Sequence, residues 1–259
     1  THTHAQIALE ALDNGKHVVV EKPIARTMEQ AKRMVKAAEK AQRLLHVAHV
    51  LRYWGQYVEA RNLAETQQLG SLRYGWFRRT CGMPAWTTGN WAADPKASGG
   101  VVLDLAVHDI DVATWMFGLP MKYQVAGRIA DGLPMSLDAS WIDRDGAQVQ
   151  IYARWDAQGG APFHYAFELE FERGTLYCDS AIGAQLLLVE GGQARALNFD
   201  ARPAYQLQVD DVINALLDEQ TRTRVPPADA IQALSVAEDH LRRITQRRGV
   251  RGRPSPRRR

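Results

Sequence analysis

Apolar residues at Ile7, Ala8, Ala11 and Leu12 recur with helical spacing and stop at Gly15, so residues 5–12 read as an amphipathic helix. The period then changes. His17-Val-Val-Val-Glu21-Lys22-Pro23 is an unbroken β-branched run ending on a charged pair. That is the pattern of a buried parallel strand that delivers Glu21 and Lys22 to the carboxyl edge of its sheet, where open α/β sheets bind ligands. Thr27-Met-Glu-Gln30 is a capping box opening a helix to about Gln42, and Leu44 to Val50 reads as a second buried strand. The chain therefore opens α-β-α-β. A crossover helix needs strands on which to bury its apolar face, so a chain opening on one is expected to lack its natural beginning.

Further along, a helical pattern covers Gly55 to Gln68 and stops at Gly70, and a strand is expected around Ser71 to Thr80. A loop bearing Trp, Gly and Pro runs through Lys96. A helix follows from Ser98 to Phe117, stopped by Gly118 and Pro120. Alternating strands are expected at Tyr123 to Ile129, Met135 to Ile142, Gln148 to Trp155, Phe163 to Phe171, Thr175 to Cys178 and Gln185 to Val189. Asp143-Arg-Asp-Gly146 and Glu190-Gly-Gly192 are hairpin signals. Two helices, near Tyr205 to Asp218 and Pro227 to Gln246, close the pattern. No internal repeat is evident. Strands with apolar alternation such as Val149, Ile151 and Ala153 need cover on one face, and the two terminal helices are too few to cover both faces of such a sheet. A homodimer or homotetramer joined through the sheet is expected.

Composition narrows the class. With 259 residues, 46% of them hydrophobic and 24% charged, the chain is ordinary globular protein with room for two modest domains. No apolar run approaches the ~18 residues of a spanning helix, and Thr1-His-Thr-His4 has no signal-peptide pattern. Two cysteines, Cys81 and Cys178, make neither a disulfide framework nor a CxxC site, which fits a cytoplasmic protein. The net charge of +3 misleads, because residues 247–259 hold seven Arg and no acid; without them the body stands at −4. That tail lacks aromatic interleaving and any reading module, so a solvated, disordered segment is expected, with no specific nucleic-acid partner.

Candidate chemistry lies at two places. The Glu21-Lys22 pair is the first, although a solvated strand end would look the same. The second is Ser98-Gly-Gly-Val-Val-Leu-Asp104-Leu-Ala-Val-His108-Asp-Ile-Asp111. At ~100° per residue, Asp104, His108, Asp111 and Trp115 share a stripe about 60° wide. Val101, Leu105, Val112 and Met116 wall it on one side, and Leu103, Val107, Ile110 and Thr114 on the other. Small Ala106 and Ala113, with Asp109, are left at the back. A polar row between two apolar walls suits a cleft in which carboxylate and imidazole transfer protons. An ordinary i,i+4 pair and a set of metal ligands remain open alternatives, though no third ligand cluster stands out and His2 with His4 is weak evidence. Gly99-Gly100 would let a ligand approach the helix N-terminus closely.

The run His4 to Pro23, then Arg52-Tyr53, Asn90-Trp91, Gly99-Gly100 with Asp104 and His108, and Tyr205 to Leu216 together resemble the glucose-fructose oxidoreductase and inositol dehydrogenase (Gfo/Idh/MocA) family, from Thr1 to about Gly249. The resemblance implies an α/β fold. Residues 1–50 would be the C-terminal part of a dinucleotide-binding Rossmann domain. Residues 51–246 would form a substrate and oligomerisation α+β domain with a large, mostly antiparallel open sheet. It also implies an NAD- or NADP-dependent oxidoreductase acting on a sugar, polyol or related hydroxyl or carbonyl substrate. Lys22 would be the catalytic lysine that polarises the reacting oxygen, His108 the proton donor and acceptor, and Asp104 a substrate-orienting carboxylate. Thr1, His4, Glu21 and Lys22 would border the nicotinamide and its ribose. No GxGxxG occurs in the chain, and Ser98 stands where the family often has a first glycine. These 259 residues alone are therefore expected to hold a dinucleotide poorly and to be inactive. The competing expectation is a non-catalytic binding or assembly protein that keeps the fold.

Overall fold

The computed structural model describes residues 1–84, 88–155, 161–218 and 220–246, so the Arg-rich tail lies outside the described residues. Helix α1 (His4–Asp13) buries Ala5, Ala8 and Leu12. Strand β1 (Val18–Glu21) buries Val18 and Val20 but leaves Val19 and Glu21 exposed, so it is covered on one face rather than on both. The capping box of α2 (Met28–Ala41) forms as expected: Thr27 Oγ1 accepts from the Gln30 amide at 3.3 Å, and Gln30 Oε1 accepts from the Thr27 amide at 3.2 Å. Strand β2 (Leu45–Ala48) is wholly buried and pairs with β1 in parallel, Val18 opposite Leu45 and Glu21 opposite Ala48. That register brings the chain to Lys22 and to His49 at the same sheet edge.

A 3₁₀ turn (Val50–Tyr53) leads into α3 (Gly55–Thr66) and β3 (Leu72–Thr80). The stretch expected as one helix from Ser98 to Phe117 is divided instead. Short α4 (Pro95–Ser98) ends at Gly99 and Gly100, both with positive φ, and a π-turn (Val102–Ala106) then runs into α5 (Val107–Phe117). A Cβ on Gly100 would stand 2.5 Å from the Pro134 carbonyl oxygen, so the chain turns here against a neighbouring backbone. The strand expected from Tyr123 to Ile129 is also divided. Strand β4 (Lys122–Ala126) stops before Gly127, where a Cβ would meet the Ser136 carbonyl at 2.4 Å, and β5 (Ile129–Ala130) turns back on β6 (Leu133–Pro134).

Strands β7 (Ser136–Ile142), β8 (Gln148–Arg154), β9 (His164–Phe171), β10 (Thr175–Asp179), β11 (Leu186–Glu190) and β12 (Gln193–Leu197) complete an eight-stranded sheet ordered β12-β11-β10-β9-β3-β8-β7-β4. Every pair is antiparallel except β3 with β8. Strand β12 was not foreseen; its only signal was the Gly191-Gly192 turn before it. Phe77, Leu137, Val149, Ile151 and Ala153 are fully buried on strands packed under α5 and the π-turn. The face that carries the apolar alternation is thus covered within the chain. The opposite face carries half-buried Tyr74, Trp76, Arg78, Tyr152 and Glu168.

After α6 (Ala204–Leu217), the long helix α7 (Pro227–Gln246) packs against α5 and the π-turn on one side and against α2 and β2 on the other. Its Ala230, Ala233, Leu234, Ala237 and Ile244 are buried at helical spacing. It therefore joins the small parallel sheet to the large one, and the carboxyl edge of β1 faces the start of α5.

Candidate active site

Lys22 leaves the end of β1 and reaches the π-turn. Its Nζ donates to the main-chain carbonyl of Asp104 at 2.6 Å and to Oδ1 of the same residue at 2.9 Å. Both side chains are largely buried yet keep some exposure, 15% for Lys22 and 25% for Asp104. His4 Nδ1 bonds to the Pro23 carbonyl at 2.9 Å, pinning the 1–4 loop beside Lys22; because a carbonyl only accepts, this nitrogen carries the proton. Burial pushes the His4 imidazole down to about 4. Thr1 is held at this corner by the His4 amide, which donates to its carbonyl at 3.3 Å. Glu21 is exposed at the rim, and His2 meets the Trp91 ring at 6.3 Å between centroids.

His108 lies one turn beyond Asp104, half-buried, with Nδ1 buried and without a partner. Burial foremost, then the positive charges of Lys22 and Arg79 and the neighbouring His49, hold its pKa well below the usual imidazole value. It is a neutral base at neutral pH. The half-buried thiol of Cys81, just past β3, is raised by burial and then by the Asp104 carboxylate, so the end of β3 lines the same cleft. Lys22 and Asp104 are thus in contact, His108 lies within reach of the Lys22 charge, and His4 stands beside them.

Two other members of the predicted polar stripe are not in the cleft. Asp111 is fully buried and takes a bidentate pair from Arg52, Nε to Oδ2 at 2.9 Å and Nη2 to Oδ1 at 2.8 Å; Arg52 Nη1 reaches Asp229 on α7 at 2.6 Å. Trp115 lies beneath the Arg52 and Arg61 guanidinium groups, 5.2 and 5.5 Å from its centroid. Asp109, read as the back of the helix, is fully buried and paired with Arg79 at 2.9 and 2.8 Å, while Arg79 also donates to the Tyr57 hydroxyl at 3.1 Å. A buried charge needs a paired and hydrogen-bonded partner, and these two arginines supply one each behind the cleft. Sequence reasoning missed Arg79. Its signal was phase, because Arg79 alternates with buried Phe77 and so points to the same inner face. His49, also missed, is fully buried with Nδ1 3.6 Å from Asp111 Oδ2, too far for a hydrogen bond.

Among the described residues no group of three or more His, Cys, Asp or Glu is placed to hold a metal ion. For a hydroxyl-bearing substrate the donors and acceptors do fit. Lys22 keeps one of its three N–H donors after the two bonds to Asp104, and His108 is a neutral imidazole whose Nδ1 is buried, which leaves Nε2 as the ring nitrogen open to a substrate. Among the described residues no helix is long and apolar enough to cross a membrane.

Two family models match the chain: an oxidoreductase family with an NAD-binding Rossmann fold over residues 1–49, and the GFO/IDH/MocA C-terminal domain over residues 57–177. The scyllo-inositol 2-dehydrogenase (NAD(+)) of Bacillus subtilis is 29% identical over 119 residues, 46% of this chain and 33% of its own. The levoglucosan dehydrogenase of Pseudarthrobacter phenanthrenivorans is 32% identical over 128 residues, 45% of this chain and 31% of its own. The chain spans about a third of the length of the curated relatives it matches. Among solved structures, a levoglucosan dehydrogenase in complex with NADH superposes with a TM-score of 0.83 at 18% identity, covering 95% of this chain and 76% of that one. With both family models on the segments that carry Lys22, Asp104 and His108, and this fold around them, the chain belongs to the Gfo/Idh/MocA oxidoreductase family.

Proposed function

We propose that the cleft formed by Lys22, Asp104 and His108 is the reacting end of an NAD(P)-dependent dehydrogenase site for a sugar, cyclic polyol or related hydroxyl compound. The observation that carries this reading is the clamp of Lys22 Nζ on Asp104, with the neutral His108 imidazole one turn away. Inositol and levoglucosan dehydrogenases among the relatives support the substrate class. The solved relative with NADH supports the cofactor.

Each side chain has a part in that chemistry. A bound nicotinamide would supply the hydride acceptor for the carbinol carbon. His108 takes the hydroxyl proton as that carbon is oxidised, and a neutral imidazole is the form able to do so. The remaining Lys22 N–H stabilises the negative charge that develops on the oxygen. Asp104, besides holding Lys22, orients a second substrate hydroxyl through its other carboxylate oxygen. Thr1, His4 and Glu21 would border the nicotinamide and its ribose. Residues 1–50 then act as part of the dinucleotide-binding unit and 51–246 as the substrate and assembly unit. The open sheet face with Tyr74, Trp76 and Tyr152 is the surface for self-association. Light scattering at micromolar concentration should give a dimer or tetramer, and a stable monomer would oppose that assembly.

The cofactor is tested by titrating NADH fluorescence. The 259 residues hold no GxGxxG turn to present aligned amides to a pyrophosphate, so by themselves they should bind NADH at best with ~1 mM affinity. A chimera placing the strand, GxGxxG turn and helix of a relative ahead of Thr1 should bind in the ~µM range. Micromolar binding by residues 1–259 alone would contradict this reading of where the cofactor is held.

A further inference from the structure

The two bonds that hold Lys22 come from different parts of Asp104, and only one depends on its carboxylate. The other acceptor is the main-chain carbonyl, and it gives the shorter contact, 2.6 Å against 2.9 Å. A carbonyl in the middle of an α-helix is ordinarily committed to the amide four residues on. Asp104 does not lie in α-helix; it is the third residue of the π-turn Val102–Ala106. A carbonyl oxygen has two lone pairs, so that of Asp104 can accept from Nζ beside any helical amide, and the wide turn is the backbone that presents it there. The turn is built in by its flanks. Gly99 and Gly100 enter it with φ of +74° and +66°, and a Cβ on Gly99 would stand 2.5 Å from Leu103 Cδ1, inside the turn itself. The inner walls Val102, Leu103, Leu105 and Ala106 are all buried, so the wide turn cannot relax outward.

From this arrangement we infer that the π-turn is a positioning element for Lys22: it presents the Asp104 main-chain carbonyl to Nζ, so the lysine is anchored through the backbone and does not depend on the Asp104 side chain. The ammonium spends two of its three donors on one rigid residue, and the direction of the third is thereby set for a substrate oxygen. Only that catalytic consequence rests on the proposed function; the anchoring itself stands without it. Asp104 is left free to act on substrate without releasing its neighbour.

The test reads Lys22 directly, on residues 1–259 without cofactor or substrate. Trace acylation followed by mass spectrometry gives the labelling rate of Lys22 relative to exposed Lys16 and Lys32. Asp104→Ala removes the carboxylate and keeps the carbonyl, so the relative rate should stay within about threefold of the parent. Deleting Leu103 shortens the spacing from Val101 to Ala106 from five residues to four, converting the turn to α-helix while keeping Asp104 and His108 four apart. In that variant the rate should rise at least about tenfold. Lys22 labelled as fast as Lys16 in Asp104→Ala, or still protected in a folded deletion variant, overturns the inference. Should the deletion not fold, the Asp104→Ala arm decides alone. In the chimera, Asp104→Ala should raise KM more than it lowers kcat. A Lys22→Ala chimera with parental turnover would remove the catalytic role and leave the anchoring intact.

Discussion

Arg79 shows how a single residue can be indispensable to this site without facing it. Its guanidinium, fully surrounded, neutralises Asp109 and binds Tyr57, and its positive charge helps keep His108 neutral. Removing one partner of such a pair leaves an unpaired buried charge, so Arg79→Ala should cost about 3–5 kcal/mol in urea unfolding. Arg79→Met with Asp109→Leu should recover most of it, since two apolar side chains leave no charge behind. Equal losses in the single and double variants would show that the cost is packing rather than charge. At this scale Lys22, Asp104 and His108 were legible because their neighbours in sequence frame them: a β-branched run before Lys22, apolar walls beside Asp104 and His108. Asp109 and Asp111 were not, because what decides their role is an arginine from a distant strand or turn, and the helical pattern alone cannot say which acid will meet one.

Helix α7 shows the same logic for a whole element. Its apolar spacing was plain in the sequence, but its use as the joint between the two sheets comes from packing at both flanks. It carries His240, fully buried, with both ring nitrogens unpartnered, stacked on Trp141 at 5.8 Å and edge-on to Tyr123 at 5.5 Å. Burial, aided by Arg243, pushes its pKa down to about 4, and burial does the same to His46 on β2. The sign follows directly. Between pH 6.5 and about 4 the unfolded chain binds protons that the folded chain refuses, so stability falls as pH falls through that window. His240→Phe keeps the ring stack and removes one such group, so its stability should fall less steeply, by up to about 1.4 kcal/mol per pH unit. Thermal melts of parent and variant from pH 7 to 4 check this; parallel slopes would mean that His240 protonates freely in the folded state. The π-turn, by contrast, was illegible. One extra residue in a turn barely disturbs an apolar periodicity, and Gly99-Gly100 reads equally well as a ligand-approach loop.

For the molecule as a whole, the β1-β2 pair and most of the eight-stranded sheet were legible from alternation and turn residues, while the β5-β6 pair and β12 were not. Which sheet face would be covered was not: α5 and the π-turn lie over Val149, Ile151 and Ala153, and that depends on a chain reversal through Gly118 and β4 with no local signature. The same packing brings the π-turn to the carboxyl edge of β1, where Lys22 bonds to Asp104, and the cleft lies where the two parts meet. The central claim is that this junction transfers a hydride with Lys22 and His108 as its working groups, and the direct measurement is the rate of nicotinamide reduction by the chimera on inositols and anhydrosugars. The parent chimera should turn over, and Lys22→Ala and His108→Ala should each lose at least ~10²-fold with circular dichroism unchanged. Near-parental rates in either folded variant would contradict it.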